Sequence, residues 1–338
     1  MRKAISDAAA KYKIPGVAAA LIENGQIRGL EFFGVRDEKT NAPVTASTIF
    51  EAGSLGEPVY AYAVLRLVAD SRLNPGMPLS SYWPLPYVRY LDPTSSFPAT
   101  EPLYDPRLNQ ITAMRVMSHS SGMPDLARNQ HLAFQFPPGQ KWSYSSEGYL
   151  YLQRVVEHIS GESFEDFVMR GAFVPARMAR SSFVWRDADA NEIATGYDRS
   201  GAPVEAHKYS RPAATVTLYT TIRDYAQFVG FLLASAPAQR AHESAVTLML
   251  GPTIAAGDAV PFSWGLGVGL EKAGDDLFFF HREKSAGFQC FFIASRKTGN
   301  AIVIFTNSGN GLDAVPDIVA ATLGGNHPIL KSSFLRSQ

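Results

Sequence analysis

Apolar runs of strand length occur near both ends of this chain, and the segment between them has helical patterns instead. Near the N-terminus, two such runs within residues 16–37 flank Asn24-Gly25, the dipeptide that most strongly signals a tight β-hairpin. Four more short apolar runs, separated by turn residues, lie within residues 262–306 and predict antiparallel strands. Since strands must bury their apolar faces, we expect the two chain ends to pair into one sheet.

Segments outside these runs have the apolar spacing of amphipathic helices. The spacing predicts helices at residues 54–70, 112–118, 146–160, 163–172, 219–235 and 312–323. We therefore predict an α+β fold, in which an antiparallel sheet is flanked by N- and C-terminal helices and joined to a mostly helical lobe. The α/β domain would comprise residues 1–70 and 213–338, the lobe residues 71–212, and the active-site cleft would lie between them.

The charge balance argues against a polyanionic partner. Among the 338 residues, Lys and Arg total 31 and Asp and Glu total 31, so the formal net charge is zero. A chain without net charge has no global field that attracts nucleic acid or a membrane surface. We predict a small-molecule substrate, no nucleic-acid or membrane partner, and a monomer or weak homo-oligomer.

Cysteine and histidine usage gives no sign of a disulfide, a metal centre or a cofactor site. The single cysteine, Cys290, lies in an apolar run and is expected to be a small buried hydrophobe. The seven histidines lack the spacing of metal ligands. The N-terminal segment is too polar for a signal peptide, and no window approaches 18 apolar residues. We therefore predict a cytoplasmic protein without a cofactor, unless a leader has been removed.

Three short stretches carry residue types suited to covalent catalysis: Ser54-Leu55-Gly56-Glu57, Tyr144-Ser145-Ser146 and His281-Arg282-Glu283. With their surroundings, they resemble the serine β-lactamase and penicillin-binding-protein superfamily, especially class C β-lactamases and family VIII carboxylesterases. The resemblance covers residues 5–325 and rests on the order and spacing of STIFEAGSLGEPV, ITAMRVMSHSSGMPD, FPPGQKWSYSSEGYLYL, ISGESFEDFV, WGLGVGL, HREKSAGFQCFFIA and IVIFTNSGNG. It implies a β-lactamase/transpeptidase-like fold and acyl transfer from esters, amides or β-lactams to Ser54.

The first of these stretches departs from the pattern that the resemblance implies. The family has Ser-x-x-Lys at the start of a helix, where the lysine lies one turn after the serine and can take its proton. Here Glu57 stands at the lysine position, and no lysine in the sequence follows a serine by three residues. The exchange of lysine for glutamate alters the local charge by two units. Each unit changes the Coulomb energy with a neighbouring charge by about 4 kcal/mol, at a separation of about 4 Å and an effective dielectric of about 20. We therefore expect ordinary β-lactam hydrolysis to be lost or strongly altered.

The second and third motifs are also altered. The family's Tyr-x-Asn is represented by Tyr144 and Ser146, and Ser146 could bind substrate or cap the helix that follows it. The family's Lys-Thr-Gly or His-x-Gly strand is represented by His281, with Glu283 at the glycine position. A literal Lys-Thr-Gly occurs at residues 297–299, where the pattern predicts a turn between two strands.

Three functions remain open from the sequence. In the first, the protein is a serine hydrolase in which Glu57 or Tyr144 serves as base toward Ser54. Lys284 or Arg282 would then restore a positive charge, and a Glu57–Lys284 ion pair would span the cleft.

In the second, the pocket performs proton transfer on a carbon acid. Glu57, partly desolvated among Tyr60, Trp142, Tyr144 and Phe288, would have a raised pKa and act as the general base. In the third, the chain is a non-catalytic binding relative. Because the motif changes coincide with an intact scaffold, the sequence favours a pocket remodelled by selection or by design.

Other residues complete the candidate site. We predict that substrate is contacted by Ser146, Trp142, His281, Arg282, Glu283, Phe288 and Tyr60. His119 matches a family loop near the site entrance, and we expect it to order that loop by hydrogen bonding rather than to take part in catalysis.

Overall fold

The structure is a computed structural model, and it describes residues 1–89, 100–127, 131–235, 238–257, 260 and 262–336. Its central element is a nine-stranded antiparallel sheet, in the order β3-β2-β1-β13-β12-β11-β10-β9-β8. These strands are β1 (Gly16–Glu23), β2 (Gln26–Asp37), β3 (Ala42–Pro43), β8 (Ile254–Ala256), β9 (Phe262–Trp264), β10 (Gly269–Ala273), β11 (Asp276–Lys284), β12 (Gln289–Ser295) and β13 (Asn300–Thr306). Two short pairs lie outside the sheet: β4 (Ile49–Glu51) with β7 (Tyr219–Thr221), and β5 (Gly196–Tyr197) with β6 (Pro203–Val204).

The predicted union of the two chain ends occurs between β1 and β13. Val17 pairs with Thr306 and Ile22 with Ala301, so the N-terminal hairpin joins the C-terminal strands along nearly its whole length. The turn between β1 and β2 places Asn24 and Gly25 at φ 52° and 74°, the left-handed values that a two-residue hairpin needs. The α+β class and the antiparallel sheet built from both chain ends are therefore confirmed.

The helices are α1 (Arg2–Tyr12), α2 (Gly56–Ala69), α3 (Ala113–Met117), α4 (Ser146–Ser160), α5 (Phe164–Val168), α6 (Ile222–Leu233), α7 (Arg240–Met249), α8 (Gly311–Thr322) and α9 (Ser333–Arg336). Alternate residues of the sheet face two cores. Val17 and Ala19 point into the core that contains α1 and α8, while Ala18 and Ala20 point into the larger core with α2, α4 and α6. The helix α2 is buried from Gly56 to Leu65, because its sequence is apolar nearly all round.

Several predicted elements need correction. The segment predicted as a helix at 219–235 begins as strand β7, and its helix starts at Ile222 after a cap from the Thr221 side chain. The helix predicted at 163–172 is α5 followed by a π-helical turn at Met169–Phe173. Periodicity did not predict α7 or strands β4, β7 and β8. The domain boundaries at residues 70 and 212 stay a prediction.

The helical region contains a buried ion pair. The guanidinium of Arg89 bonds the carboxylate of Glu147, and both side chains are almost entirely enclosed. Glu147 also accepts from the Tyr87 hydroxyl at 2.9 Å and from the Ala127 amide at 3.0 Å. A buried carboxylate with this many donors is fully satisfied, and it ties α4 to the loops that precede it.

Candidate active site

Ser54 lies where strand β4 turns into helix α2. Gly53, at φ 40°, and Ser54 form a 3₁₀ turn that leads directly into α2. Ser54 is part-buried, and its hydroxyl donates to the carbonyl oxygen of Thr215 at 3.0 Å. A serine at such a turn presents its hydroxyl at the start of a helix, as the motif predicts.

Ser54 opens into a cavity of about 570 Å³. The predicted residues on its wall are Ser54, Tyr144, Ser146, Arg282, Glu283 and Lys284. The wall also contains Glu51, Asp125 and His207, which the sequence did not point out. Glu51 accepts from Nδ1 of His207 at 3.0 Å, and Asp125 accepts from the Ser146 hydroxyl at 2.6 Å. The cavity therefore carries both signs of charge around the serine.

Glu57 lies behind this cavity and is completely enclosed. Its Oε1 accepts from the Tyr144 hydroxyl at 2.8 Å. Its Oε2 lies 3.0 Å from Nε2 of His119 and 3.4 Å from Nε2 of His281. The anion that replaces the motif lysine thus accepts hydrogen bonds from Tyr144 and His119, and Nε2 of His281 lies beside it.

Backbone hydrogen bonds fix the proton positions on the two imidazoles. The amide of Ser145 donates to Nδ1 of His119 at 3.1 Å, so the proton of a neutral His119 lies on Nε2 and is donated to Glu57. Nδ1 of His281 lies 3.0 Å from the carbonyl oxygen of Arg282 and must donate to it. A neutral His281 therefore presents the lone pair of Nε2 to Glu57.

The same three side chains have ligand atoms within 4.8 Å of one another, a spacing that a metal ion could bridge. A metal needs the lone pair of Nε2 on His119, yet the hydrogen bond from Ser145 places the ring proton there. The donor set therefore does not fit a metal, and the cluster is better suited to holding a proton.

The ionisation of the cluster follows from its contacts. Burial by itself raises the pKa of Glu57, but the charge and hydrogen bond of His119 act against burial, and that pKa is lowered. His281 adds to the lowering only when it is protonated. Burial lowers the pKa of His281 although Glu57 opposes this. Burial, together with the charge of Glu57, raises the pKa of Tyr144 well above its ordinary value. Around neutral pH the carboxylate is therefore ionised, the phenol keeps its proton and His281 is neutral.

Tyr144 stands between Glu57 and the serine. Its hydroxyl contacts Glu57, its side chain lines the cavity, and its interaction with the Ser54 side chain partly counteracts the rise of the phenol pKa. Tyr144 thus joins Glu57 to the cavity that contains Ser54.

Glu283 covers the backbone amide of the serine. Its Oε2 accepts from the Ser54 N–H at 2.6 Å, and a Cβ at Gly53 would overlap its carboxylate. Burial raises the pKa of Glu283 to about 7, although the hydrogen bonds from Ser54 and the charge of Arg282 act in the opposite direction.

Comparisons with known proteins identify the fold. The family model described as Beta-lactamase matches residues 1–324. The chain belongs to the β-lactamase family. Protein flp of Staphylococcus aureus is 21% identical over 337 residues, covering 91% of this chain and 62% of that protein. The chain thus spans about three fifths of the length of that curated relative.

Two solved structures share the fold of this β-lactamase-family chain. The octameric penicillin-binding protein homologue from Pyrococcus abyssi superposes with a TM-score of 0.78 at 20% identity, covering 98% of this chain and 78% of that one. D-alanine carboxypeptidase AmpC from Burkholderia cenocepacia superposes with a TM-score of 0.75 at 16% identity, covering 94% and 97%. Both therefore support the predicted β-lactamase/transpeptidase fold. Within the described residues, no helix has both the length and the apolar character to cross a membrane.

The predicted Glu57–Lys284 ion pair is wrong. Side chains alternate along β11, so His281 and Glu283 are buried while Lys284 is exposed at the cavity. Glu57 is met by His281 and His119 instead. Its predicted raised pKa is also wrong in direction, because the contact with His119 acts against burial and the pKa is lowered.

Four predicted substrate contacts lie elsewhere in this family member: Tyr60, Phe288, His281 and Trp142. His281 is fully buried, and its Nε2 lies beside Glu57 instead of on the cavity wall. Tyr60 is fully buried and packs against Tyr149, Phe164 and Phe167. Phe288 is buried too, in the larger core. Neither is among the described residues that line the cavity at Ser54.

Trp142 lines a neighbouring cavity of about 560 Å³, which shares Tyr144, Arg282 and Phe334 with the first. The Arg282 guanidinium donates to the carbonyl oxygen of Phe334 and lies 4.4 Å from its ring centroid. Arg282 therefore forms part of the wall between the two cavities.

The helix cap and His119 also differ from expectation. Ser145, not Ser146, caps α4, since its hydroxyl accepts from the Gly148 amide at 3.1 Å. Ser146 is left to face the cavity. His119 contacts Glu57 directly and has a left-handed backbone at φ 52°. Such a conformation in a non-glycine residue often marks a functional position, but a single sequence does not show it.

Proposed function

We propose that this protein is a serine-dependent acyl-transfer enzyme, acting on small esters or amides through Ser54. The observation that carries the proposal is the position of Tyr144, which donates to Glu57 at 2.8 Å and lines the same cavity as Ser54. A nucleophilic serine needs a route for its proton, and this arrangement supplies one in place of the missing lysine.

The proton route uses the chain's own groups. As Oγ of Ser54 bonds to the acyl carbon, its hydroxyl gives up the hydrogen bond to the Thr215 carbonyl and passes its proton to the oxygen of Tyr144. The phenolic proton passes to Oε1 of Glu57. His281, 3.4 Å from Glu57, offers the free lone pair on Nε2 that can share this proton. The Glu57–His281 pair therefore goes from net charge −1 to neutral when the serine loses its proton. The leaving alkoxide or amine then takes a proton from Tyr144, and Tyr144 recovers the proton held by Glu57, so both groups return to their starting states.

The structure does not favour Glu57 as a direct base on a carbon acid. Glu57 is enclosed, and Tyr144 lies between it and the cavity. Its lowered pKa also weakens it as a base, so it can act on a bound molecule only through Tyr144.

A second candidate function is non-catalytic ligand binding. This candidate is favoured by the carboxylate of Glu283, which accepts a hydrogen bond from the Ser54 amide. In an acyl-transfer enzyme that amide would donate to the substrate instead. An ionised carboxylate there would oppose formation of the oxyanion.

Covalent labelling separates the two candidates. Treatment with a fluorophosphonate or with p-nitrophenyl acetate should add one acyl or phosphonyl group, detectable by intact-protein mass spectrometry and mapped to Ser54. Ser54→Ala should remove the adduct, whereas Ser146→Ala, which removes another hydroxyl of the cavity wall, should keep it. A wild-type protein that stays unlabelled at every pH between 5 and 9 would leave the binding candidate.

Substituting lysine for Glu57 alone should not produce β-lactam hydrolysis. The new ammonium would face Nε2–H of His119, which is a donor, and Glu283 would still cover the Ser54 amide. The double variant Glu57→Lys/Glu283→Gly should hydrolyse a chromogenic cephalosporin faster than either single variant, because it restores both family residues. Hydrolysis by Glu57→Lys alone, equal to that of the double variant, would contradict this account of the amide.

A further inference from the structure

We propose that Glu283 is a catalytic residue that donates, as a neutral carboxylic acid, a hydrogen bond to the oxyanion formed at the acyl carbon on Ser54. This inference rests on the proposed acyl-transfer function and extends it, since it assigns the group that stabilises the developing negative charge. The expected consequence is an enzyme that acylates best at or below neutral pH.

The geometry of Glu283 leads to this role. Preorganised donors aimed at the developing oxyanion supply a large part of acyl-transfer catalysis, and the amide of the nucleophilic residue is well placed to be one. Here Oε2 of Glu283 accepts from that amide at 2.6 Å, so the amide cannot serve a substrate directly. Glu283 lies on the cavity wall, so the carboxyl group that covers the Ser54 amide is itself within reach of a bound acyl group.

The carboxyl group is held in place rather than free to swing away. Glu283 belongs to β11 and pairs with Cys290 of β12, only 7% of its surface is exposed, and Gly53 closes over its carboxylate. The negative charge that develops on a bound acyl group is therefore either stabilised or repelled by this carboxyl group, depending on whether the carboxyl group is protonated.

The two protonation states have opposite effects. An ionised Glu283 places negative charge where the reaction creates more, and this raises the barrier. A neutral Glu283 accepts from the Ser54 amide with one oxygen and donates to the oxyanion from the other. The hydrogen bond from the amide polarises the acid group and so strengthens the hydrogen bond that the acid donates. A buried carboxylic acid kept neutral near pH 7 is a known form of oxyanion donor.

The charges around Glu283 support a proton on it near neutrality. Glu51 of β4 opposes ionisation, Arg282 favours it, and burial is the largest influence, raising the pKa to about 7. Cys290 faces it from β12, and burial raises the pKa of that thiol, which stays uncharged. The other charged or titratable groups on this wall are Lys284, His207, Tyr209, Asp125 and Tyr144.

The test is the pH dependence of Ser54 acylation by p-nitrophenyl acetate, in the wild type and in Glu283→Gln. The wild-type rate should fall about tenfold per pH unit above pH 7. The glutamine side chain still accepts from the Ser54 amide through its carbonyl oxygen, and its NH₂ group donates at every pH. The rate of Glu283→Gln should therefore show no such fall, and at pH 9 it should exceed the wild-type rate about tenfold or more. Glu165→Gln is the matched control. Glu165 is a mostly buried acid away from this cavity, and it accepts a hydrogen bond from the backbone amide of Phe183 at 2.8 Å. Burial raises its pKa, as it does that of Glu283. It should keep the wild-type profile.

Each contrary result has a distinct meaning. Acylation of Ser54 that falls with pH identically in wild type and Glu283→Gln would overturn the oxyanion role and leave the proposed function standing. A wild-type rate that rises through pH 7, and is lost in Glu283→Gln, would make Glu283 a base and overturn it as well. Absence of Ser54 acylation in both proteins at every pH would remove the proposed function itself. If Glu283→Gln does not fold, carbon NMR of the wild-type protein, labelled at its glutamates, measures the ionisation of Glu283 directly. A Glu283 carboxyl group that is already ionised over the whole pH range in which the rate falls would also overturn the inference.

Discussion

Replacing Glu57 by glutamine should slow acylation of Ser54 by roughly 10²- to 10⁴-fold, the range that a positioned acid–base group contributes. The glutamine side chain could still accept a hydrogen bond from Tyr144 through its carbonyl oxygen, but it could not take up the proton. Its amide hydrogens would also face Nε2–H of His119, where two donors repel each other. The second-order acylation rate with p-nitrophenyl acetate at pH 6 measures the loss.

The companion variant is Glu57→Asp, which keeps the carboxylate and shortens the side chain by one carbon. It should lose less activity than Glu57→Gln, because it retains a proton acceptor behind Tyr144. The wild-type profile should also stay level as pH falls through 5, since the lowered pKa of Glu57 keeps it ionised there. Equal rates for wild type and Glu57→Gln would show that the proton of Ser54 leaves by another route.

Removing Arg89 should destabilise the protein by about 3–5 kcal/mol, the usual cost of leaving one member of a buried ion pair uncompensated. Glu147 would stay enclosed with its donors from Tyr87 and Ala127 but without its cation. Urea unfolding of Arg89→Ala against wild type at pH 8 measures the loss of unfolding free energy.

The pH dependence identifies the cause of that loss. Burial already raises the pKa of Glu147 despite Arg89, and without the guanidinium the folded-state pKa would rise further. A carboxyl group whose folded pKa is raised takes up its proton more readily in the folded state, so the Arg89→Ala deficit should shrink from pH 8 to pH 5. Arg89→Ala/Glu147→Gln should recover part of the stability at pH 8. A deficit equal at both pH values would point to lost packing around Arg89 instead.

Local signals predict much of the fold. Asn24-Gly25 specifies a tight turn by itself, and the boundaries predicted for the helix at 146–160 match α4. The sequence does not predict strand β7 because its three residues run directly into an amphipathic helix, and helical periodicity does not locate the boundary at Thr221. The order of the nine strands is likewise beyond such signals, because pairing between distant segments leaves no local pattern.

The candidate site is predictable where chemistry depends on residue type and not where it depends on long-range contact. Ser54 and Tyr144 can be proposed from their motifs. The role of His119 does not emerge from the sequence because its contact with Glu57 joins residues 62 positions apart, and the reach of Glu283 to the Ser54 amide spans 229 positions. The Lys284 ion pair fails for a simpler reason, which is that neighbouring residues of a strand point in opposite directions.

The pairing of β1 with β13 has a consequence for biosynthesis. The strand β1 leaves the ribosome well before its partner β13, because Val17 pairs with Thr306, which is synthesised near the end of the chain. At translation rates of about 5–20 residues per second, that delay is on the order of tens of seconds. During this interval the backbone N–H and C=O groups on the side of β1 that later faces β13 have no partner strand.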